Sequence, residues 1–237
     1  MVALVRKGWY DALIGALRAE GEGGGVFQFA TLEAPNAPRV RSLIHREFLT
    51  ATALPDLPLI LATTDIRTPK VSQMNGQQRV EAVYWTASTQ EQFRVIGRAS
   101  VVPKPNHQDP YPSLSGRVFD ELAKEVFDWE KKRVDVFDSM SGRLKASWCR
   151  PVPGTPLKGG EDEMKRWPEK LPKLGEAKSE EDKKNLAFAL ENFALLIIEP
   201  FEVDFMELGV QPNQRTIFKR DWEDPNSLEF KETAVVP

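Results

Sequence analysis

Hydrophobic and polar positions in this chain follow two periods that alternate along it. Trp9, Ala12, Leu13, Ala16 and Leu17 recur at i, i+3, i+4, i+7 and i+8, which predicts an amphipathic helix over about residues 5–19. It ends at the glycine-rich run Gly21-Glu22-Gly23-Gly24-Gly25. From Val26 to Val102 short apolar runs bounded by turn residues predict strands at Val26–Leu32, Val40–Leu49, Leu59–Thr64, Val80–Thr86 and Phe93–Val102. Connections such as Ala34–Pro38 are too short for the crossover that parallel strands need, so the block is read as antiparallel and closing into a barrel. Between Ser115 and Trp148 the period becomes helical again, with Val118, Leu122, Val126 and Trp129 on one stripe. Glu191–Ile198, Phe201–Leu208 and Arg215–Lys219 then resume the strand pattern and are expected to complete the same barrel. The fold class expected is mainly β (α+β), an antiparallel barrel with peripheral helices, in one domain over 1–237.

Composition narrows this further. With 237 residues, 41% of them hydrophobic and 28% charged, the chain is long enough to bury a large core and is read as globular. Its single cysteine, Cys149, excludes an intramolecular disulfide and a multi-cysteine zinc site, and two histidines, His45 and His107, leave little for a histidine-rich metal centre. No metal is expected. A net charge of −3 supplies no general basic field for a nucleic-acid backbone. The N-terminus lacks the apolar stretch of a signal peptide and no window is apolar enough to span a membrane, so neither nucleic acid nor membrane is expected as a partner, and the compartment expected is cytoplasmic or nucleocytoplasmic. Residues 158–184 carry eight basic and eight acidic residues with Pro168, Pro172 and several glycines, and are read as a solvated, flexible insertion.

The glycines at 21–25 precede a strand pattern and lack Gly-Lys-Ser/Thr, so they match neither a dinucleotide fingerprint nor a P-loop. There is no Gly-x-Ser-x-Gly elbow and no His-Glu-x-x-His helix, and Cys149 has no histidine partner visible in the sequence. An oxidoreductase remains compatible with so few protein catalysts, because a bound flavin performs the hydride chemistry. Residues 39–98 hold eight basic side chains against five acidic ones. Arg41, Arg46, Thr68 and Lys70 are the residue types that hold a phosphate, although a solvated basic face has the same composition. Trp85 and Trp148 are read as core residues and His45 as a structural imidazole.

In order and spacing, Arg41-Ser42-Leu43-Ile44-His45-Arg46, then Thr63-Thr64-Asp65-Ile66-Arg67-Thr68-Pro69-Lys70, then Gln92-Phe93-Arg94-Val95-Ile96-Gly97-Arg98-Ala99, resemble the motifs of FMN-binding split barrels, in particular the pyridoxamine 5′-phosphate oxidase-like branch. An N-terminal helix with Trp9, a Pro-Gly element at Pro151–Pro156 and Glu191-Asn192-Phe193 opening a late strand resemble further marks of that branch.

The resemblance implies a split barrel and a homodimer with FMN at the subunit interface. It implies that Arg41, Arg46, Thr68 and Lys70 hold the phosphate and ribityl chain, with Arg67 and Arg215 added, and that Ser42, Leu43 and Ile44 line the flavin edge. Thr63 and Thr64 would add polar contacts and Gln92 would hydrogen-bond the ring. Arg41 and Arg46 are five apart and face opposite sides of a regular strand, so both reach one phosphate only across an irregularity or through the dimer; Arg41 is the one assigned there first. The stretch Met206–Arg215 has Met206 where those oxidases have a Trp, and it has no substrate-gripping Arg-x-His. Two readings follow: a flavin-dependent oxidoreductase acting on a small molecule, or a non-catalytic FMN-binding or interaction protein on the same barrel.

Overall fold

The computed structural model describes residues 8–21, 25–108, 111–221, 224 and 227–237. In chain order the elements are α1 (Trp9–Glu20), β1 (Val26–Glu33), β2 (Ala37–Ile44), β3 (Glu47–Ala51), β4 (Leu54–Asp65), α2 (Pro69–Gly76), β5 (Arg79–Thr86), β6 (Glu91–Val102), α3 (Arg117–Lys124), α4 (Trp129–Ser139), α5 (Gly142–Ser147), α6 (Gly160–Met164), α7 (Glu180–Asn192), β7 (Phe193–Glu207), β8 (Gln214–Lys219) and β9 (Lys231–Val235). All strands pair antiparallel, in the order β2-β1-β5-β6-β7-β4-β3, with β8 and β9 continuing from β7.

Two cores lie on opposite sides of β4 and β7. Phe27, Phe29, Ile60, Ala62, Tyr84, Phe93, Leu196 and Ile198 fill the inside of the curved sheet, closed at its ends by α1 and α2. Leu59, Leu61, Leu195 and Ile197 face the other way, onto α3, α4, α5 and α7. Side chains alternate across a strand, so burial on both faces demands the near-continuous apolar runs seen at 57–62 and 193–198. The two strand blocks therefore form one sheet, as expected, because β7 pairs with both β4 and β6.

Several expectations are corrected. The strand expected over 40–49 is two, β2 and β3, interrupted at His45-Arg46. These strands stand at opposite ends of the strand order, so the hydrogen-bonded ladder does not close into a full barrel. The two-residue corner bridges the gap instead: His45 N–H donates to Gly25 O at 2.6 Å and Arg46 N–H to Leu61 O at 2.8 Å. Glu191 and Asn192 end α7 and do not open a strand. Trp85 is not core but half exposed on the outer sheet face, because its strand alternates and Tyr84 takes the inward position. α1 starts at Trp9; residues 5–7 of the helix expected there, and 22–24 of the glycine run, lie outside the described residues. Residues 158–184 are mostly exposed but contain α6, bury Leu171 and enter α7 behind a Ser179 N-cap.

Candidate functional site

A cavity of about 580 Å³ opens where the β2–β3 corner, the end of β4 and the start of α2 meet the segment from α5 onward. This volume is typical of a small-molecule or cofactor site. The sheet side supplies Ser42, Leu43, Ile44, Arg46, Thr63, Thr64, Asp65, Thr68 and Lys70; the opposite wall runs from Leu144 to Trp167.

Each sheet-side residue is positioned by local structure. The corner at His45-Arg46 ends the alternation of β2, so Arg46 and residues 42–44 reach one cavity despite their spacing. Asp65 caps the turn out of β4: its carboxylate accepts from Arg67 N–H and Nε, both at 2.9 Å, and from Nη2 at 2.6 Å. Its backbone carbonyl accepts from Thr68 Oγ1 at 2.7 Å. Pro69 at the first turn of α2 then sets the helix direction, and Lys70 Nζ lies 2.9 Å from Thr68 Oγ1. Trp148 closes the wall by donating Nε1–H to Thr64 O at 3.2 Å, while its own carbonyl accepts from Asn192 Nδ2 at 3.0 Å. The tryptophan read as core thus both packs in the outer core and lines the cavity.

The electrostatics of this wall are those of an anion site. Arg46 and Lys70 make no ion pair among the described residues, and Arg46 Nε is buried with no hydrogen-bond partner there. Burial, with the Arg41 charge second, pushes Lys70 down to about 8, against a partial offset from Asp65. Burial lowers Arg46 from its ordinary value as well. A buried cation without a counter-charge is costly, and a ligand phosphate removes that cost. His45 sits with Nδ1 3.2 Å from Tyr84 Oη, and burial holds it down to about 4, so it is a neutral imidazole, in keeping with the structural role expected.

Of the twelve positions assigned from sequence, Ser42, Leu43, Ile44, Arg46, Thr63, Thr64, Thr68 and Lys70 line the cavity. Arg41, Arg67, Gln92 and Arg215 do not. The Arg41 guanidinium is engaged by Phe29 O, Arg39 O, Thr31 Oγ1 and Gln73 Oε1. Arg67 is neutralised by Asp65. Arg215 forks onto both Asp204 oxygens at 2.9 and 2.8 Å, and Arg94 pairs with the same carboxylate. Gln92 and Arg215 fall in one row across the sheet, Trp85–Gln92–Met206–Arg215–Val235, on its outer face. Sequence reading named Trp148 and the Pro151–Pro156 element, which lie on the opposite wall, without assigning them to the site, and it missed Arg150, Met164 and Trp167. The signal for the last two was a tryptophan and a methionine inside a stretch with no apolar period.

Comparison with known proteins bears on the family and the fold. The family model described as pyridoxamine 5′-phosphate oxidase, FMN-binding domain, matches residues 6–103. The solved structure of a pyridoxamine 5′-phosphate oxidase-related, FMN-binding protein from Nostoc punctiforme has a TM-score of 0.69 and 22% identity, covering 98% of this chain and 99% of that one. PhzG from Burkholderia lata, solved in complex with tetrahydrophenazine-1-carboxylic acid, has a TM-score of 0.55 and 13% identity, covering 96% and 88% respectively. No curated protein matches the chain. These structural likenesses show the fold, an antiparallel split barrel with peripheral helices. The cavity donors fit FMN: the unpaired Arg46 and Lys70 suit its phosphate, and the hydroxyls of Thr63, Thr64 and Thr68 suit a polyol chain.

Proposed function

With residues 6–103 matching the FMN-binding domain of the pyridoxamine 5′-phosphate oxidase family, we propose that this protein is an FMN-dependent oxidoreductase that works as a homodimer. The observation that supports it most directly is the pair of unpaired cations, Arg46 and Lys70, in a hydroxyl-lined cavity. FMN bound there would supply hydride-accepting chemistry. The chain's own part is binding and placement. Arg46 and Lys70 would hold the phosphate, Thr63, Thr64 and Thr68 the ribityl chain, and residues 42–44 the flavin edge. Arg41, close enough to depress Lys70, is a positioning residue that locks β2 to β1 and α2.

Homodimerisation is supported by two of the residues outside the cavity, Gln92 and Arg215. Gln92 lies three strands from Ser42, about 14 Å at the usual strand spacing, beyond the reach of its side chain toward a ligand shared with Ser42. The face between them exposes Val26, Val40, Ile44 and Trp85. A second copy seated on that face would cover these side chains and present its own Gln92 and Arg215 row to the cavity. Pyridoxamine phosphate itself is not the substrate proposed, because the chain has no Arg-x-His after Met206.

The test is an absorption spectrum of the purified protein before and after incubation with FMN and desalting, followed by anaerobic addition of nicotinamide reductants and small-molecule donors. One retained flavin per subunit, bleached with turnover, is the expected result. Retained flavin that no donor bleaches favours a non-catalytic binding protein. Arg46→Ala is expected to weaken FMN by about 2–5 kcal/mol, the usual cost of deleting one partner of a desolvated charge pair; unchanged affinity would remove Arg46 from the phosphate site.

A further inference from the structure

The cavity has two chemically different walls. FMN, in the reading above, engages the sheet wall; the wall from Leu144 to Trp167 has another character. It is built largely of apolar side chains, and Val152, Leu157 and Met164 are 41%, 45% and 49% exposed. Among these stands one cation, Arg150. It makes no ion pair among the described residues, in contrast to Arg67, Arg94, Arg98, Arg133, Arg215 and Arg220, each of which meets a carboxylate. Its guanidinium carbon instead lies 5.8 Å from the centre of the Trp167 ring. A guanidinium at cation–π distance from an indole keeps N–H donors for two parallel bonds to a carboxylate. The one acid on this wall, Glu163, is tied at Oε2 to the Gly159 N–H at 2.8 Å.

We propose that this wall is the second-ligand compartment and that it takes a small organic anion with a flat, apolar body, an aromatic carboxylate, bound through Arg150 and covered by Trp167 and Met164. The proposal rests on the assignment of the sheet wall to FMN. Charge complementarity selects the occupant. Arg150 is exposed, and a neutral apolar ligand lying over the wall would displace its water without pairing it, while a small hydrophilic anion leaves Val152, Leu157 and Met164 exposed; an aromatic carboxylate satisfies both.

The experiment titrates FMN-loaded protein with 2-naphthoate, its neutral isostere 2-naphthamide, and the non-planar cyclohexanecarboxylate, following the flavin absorption band and binding heat. Naphthoate is expected to saturate at one per subunit and to bind at least tenfold tighter than either comparison compound. Arg150→Gln is expected to weaken naphthoate at least tenfold while FMN affinity stays within twofold, and Arg150→Lys to recover part of the loss. Equal naphthoate affinity in wild type and Arg150→Gln overturns the proposal. So does equal or tighter binding of the amide or the cyclohexane acid, or no naphthoate binding by protein that retains FMN. Protein that cannot retain FMN overturns this inference together with the cofactor assignment on which it rests.

Discussion

At the scale of single residues, Lys70 makes the site testable by pH. Its value in the free protein is about 8, depressed from 10.5 by burial and by Arg41. A base depressed in this way binds fewer protons folded than unfolded between those values, so stability of the free protein rises with pH across about 8 to 10.5. An anion beside Lys70 favours the charged form and raises its pKa again. FMN affinity is therefore expected to hold below about pH 8 and to fall as pH rises through 8, with Lys70→Met flattening the curve. Fluorescence titrations of FMN between pH 6.5 and 10 measure this, and a wild-type curve flat across pH 8 would contradict it. His45, held at about 4, does not titrate in that window. The sequence showed which residue types suited a phosphate but not which arginine was free to meet one. Arg41, the arginine assigned first from sequence, is engaged by acceptors from β1 and α2, while Arg46 Nε is left without a partner among the described residues.

At the scale of elements, the long antiparallel pair of β6 and β7 carries the sheet across the molecule, and its weak point is Gly97. The register shifts between Ile96 and Gly97, opposite Pro200. A Cβ at Gly97 would sit 2.6 Å from Glu199 O and 2.8 Å from Ile198 Cγ2, both held by the ladder and the core. Gly97→Ala is expected to destabilise the protein by about 1–3 kcal/mol, the cost of overpacking a well-filled interior; chemical denaturation reads it, and an unchanged midpoint would show that the strands yield. Most strands were legible because a two-residue alternation, or a short apolar run bounded by turn residues, differs from the 3.6-residue helical period. Three helices were not, among them the five-residue α6 inside the charged stretch. α2 has its signals, Thr68, then Pro69, then an end at Gly76, but its short length and polar face gave no apolar period. α7 begins behind Ser179 with Glu180, Glu181 and Asp182 in its first turn, a helix-start pattern hidden inside a charged stretch that reads equally well as loop.

At the scale of the whole molecule, the outer sheet face is the surface a second copy would need. Trp85→Glu is expected to shift the protein toward monomer in sedimentation and to weaken FMN retention, because the charge would be buried without a partner in the interface. A variant that stays dimeric and retains FMN would place the contact elsewhere. Among the described residues no helix is long and apolar enough to cross a membrane. What the sequence determined by itself was the antiparallel, mainly β class with peripheral helices and the ordered polar motifs of the cavity's sheet side, since periodicity and residue type are local properties of the chain. What only the tertiary structure decided was where the sheet stays open, which of twelve assigned residues share a cavity, and that the segment from Arg150 to Trp167 forms its other wall. Those outcomes depend on contacts between positions as far apart as Thr64 and Trp148, whose meeting is set by the packing of α5 and α7 on β4 and β7 and leaves no periodic trace in either segment.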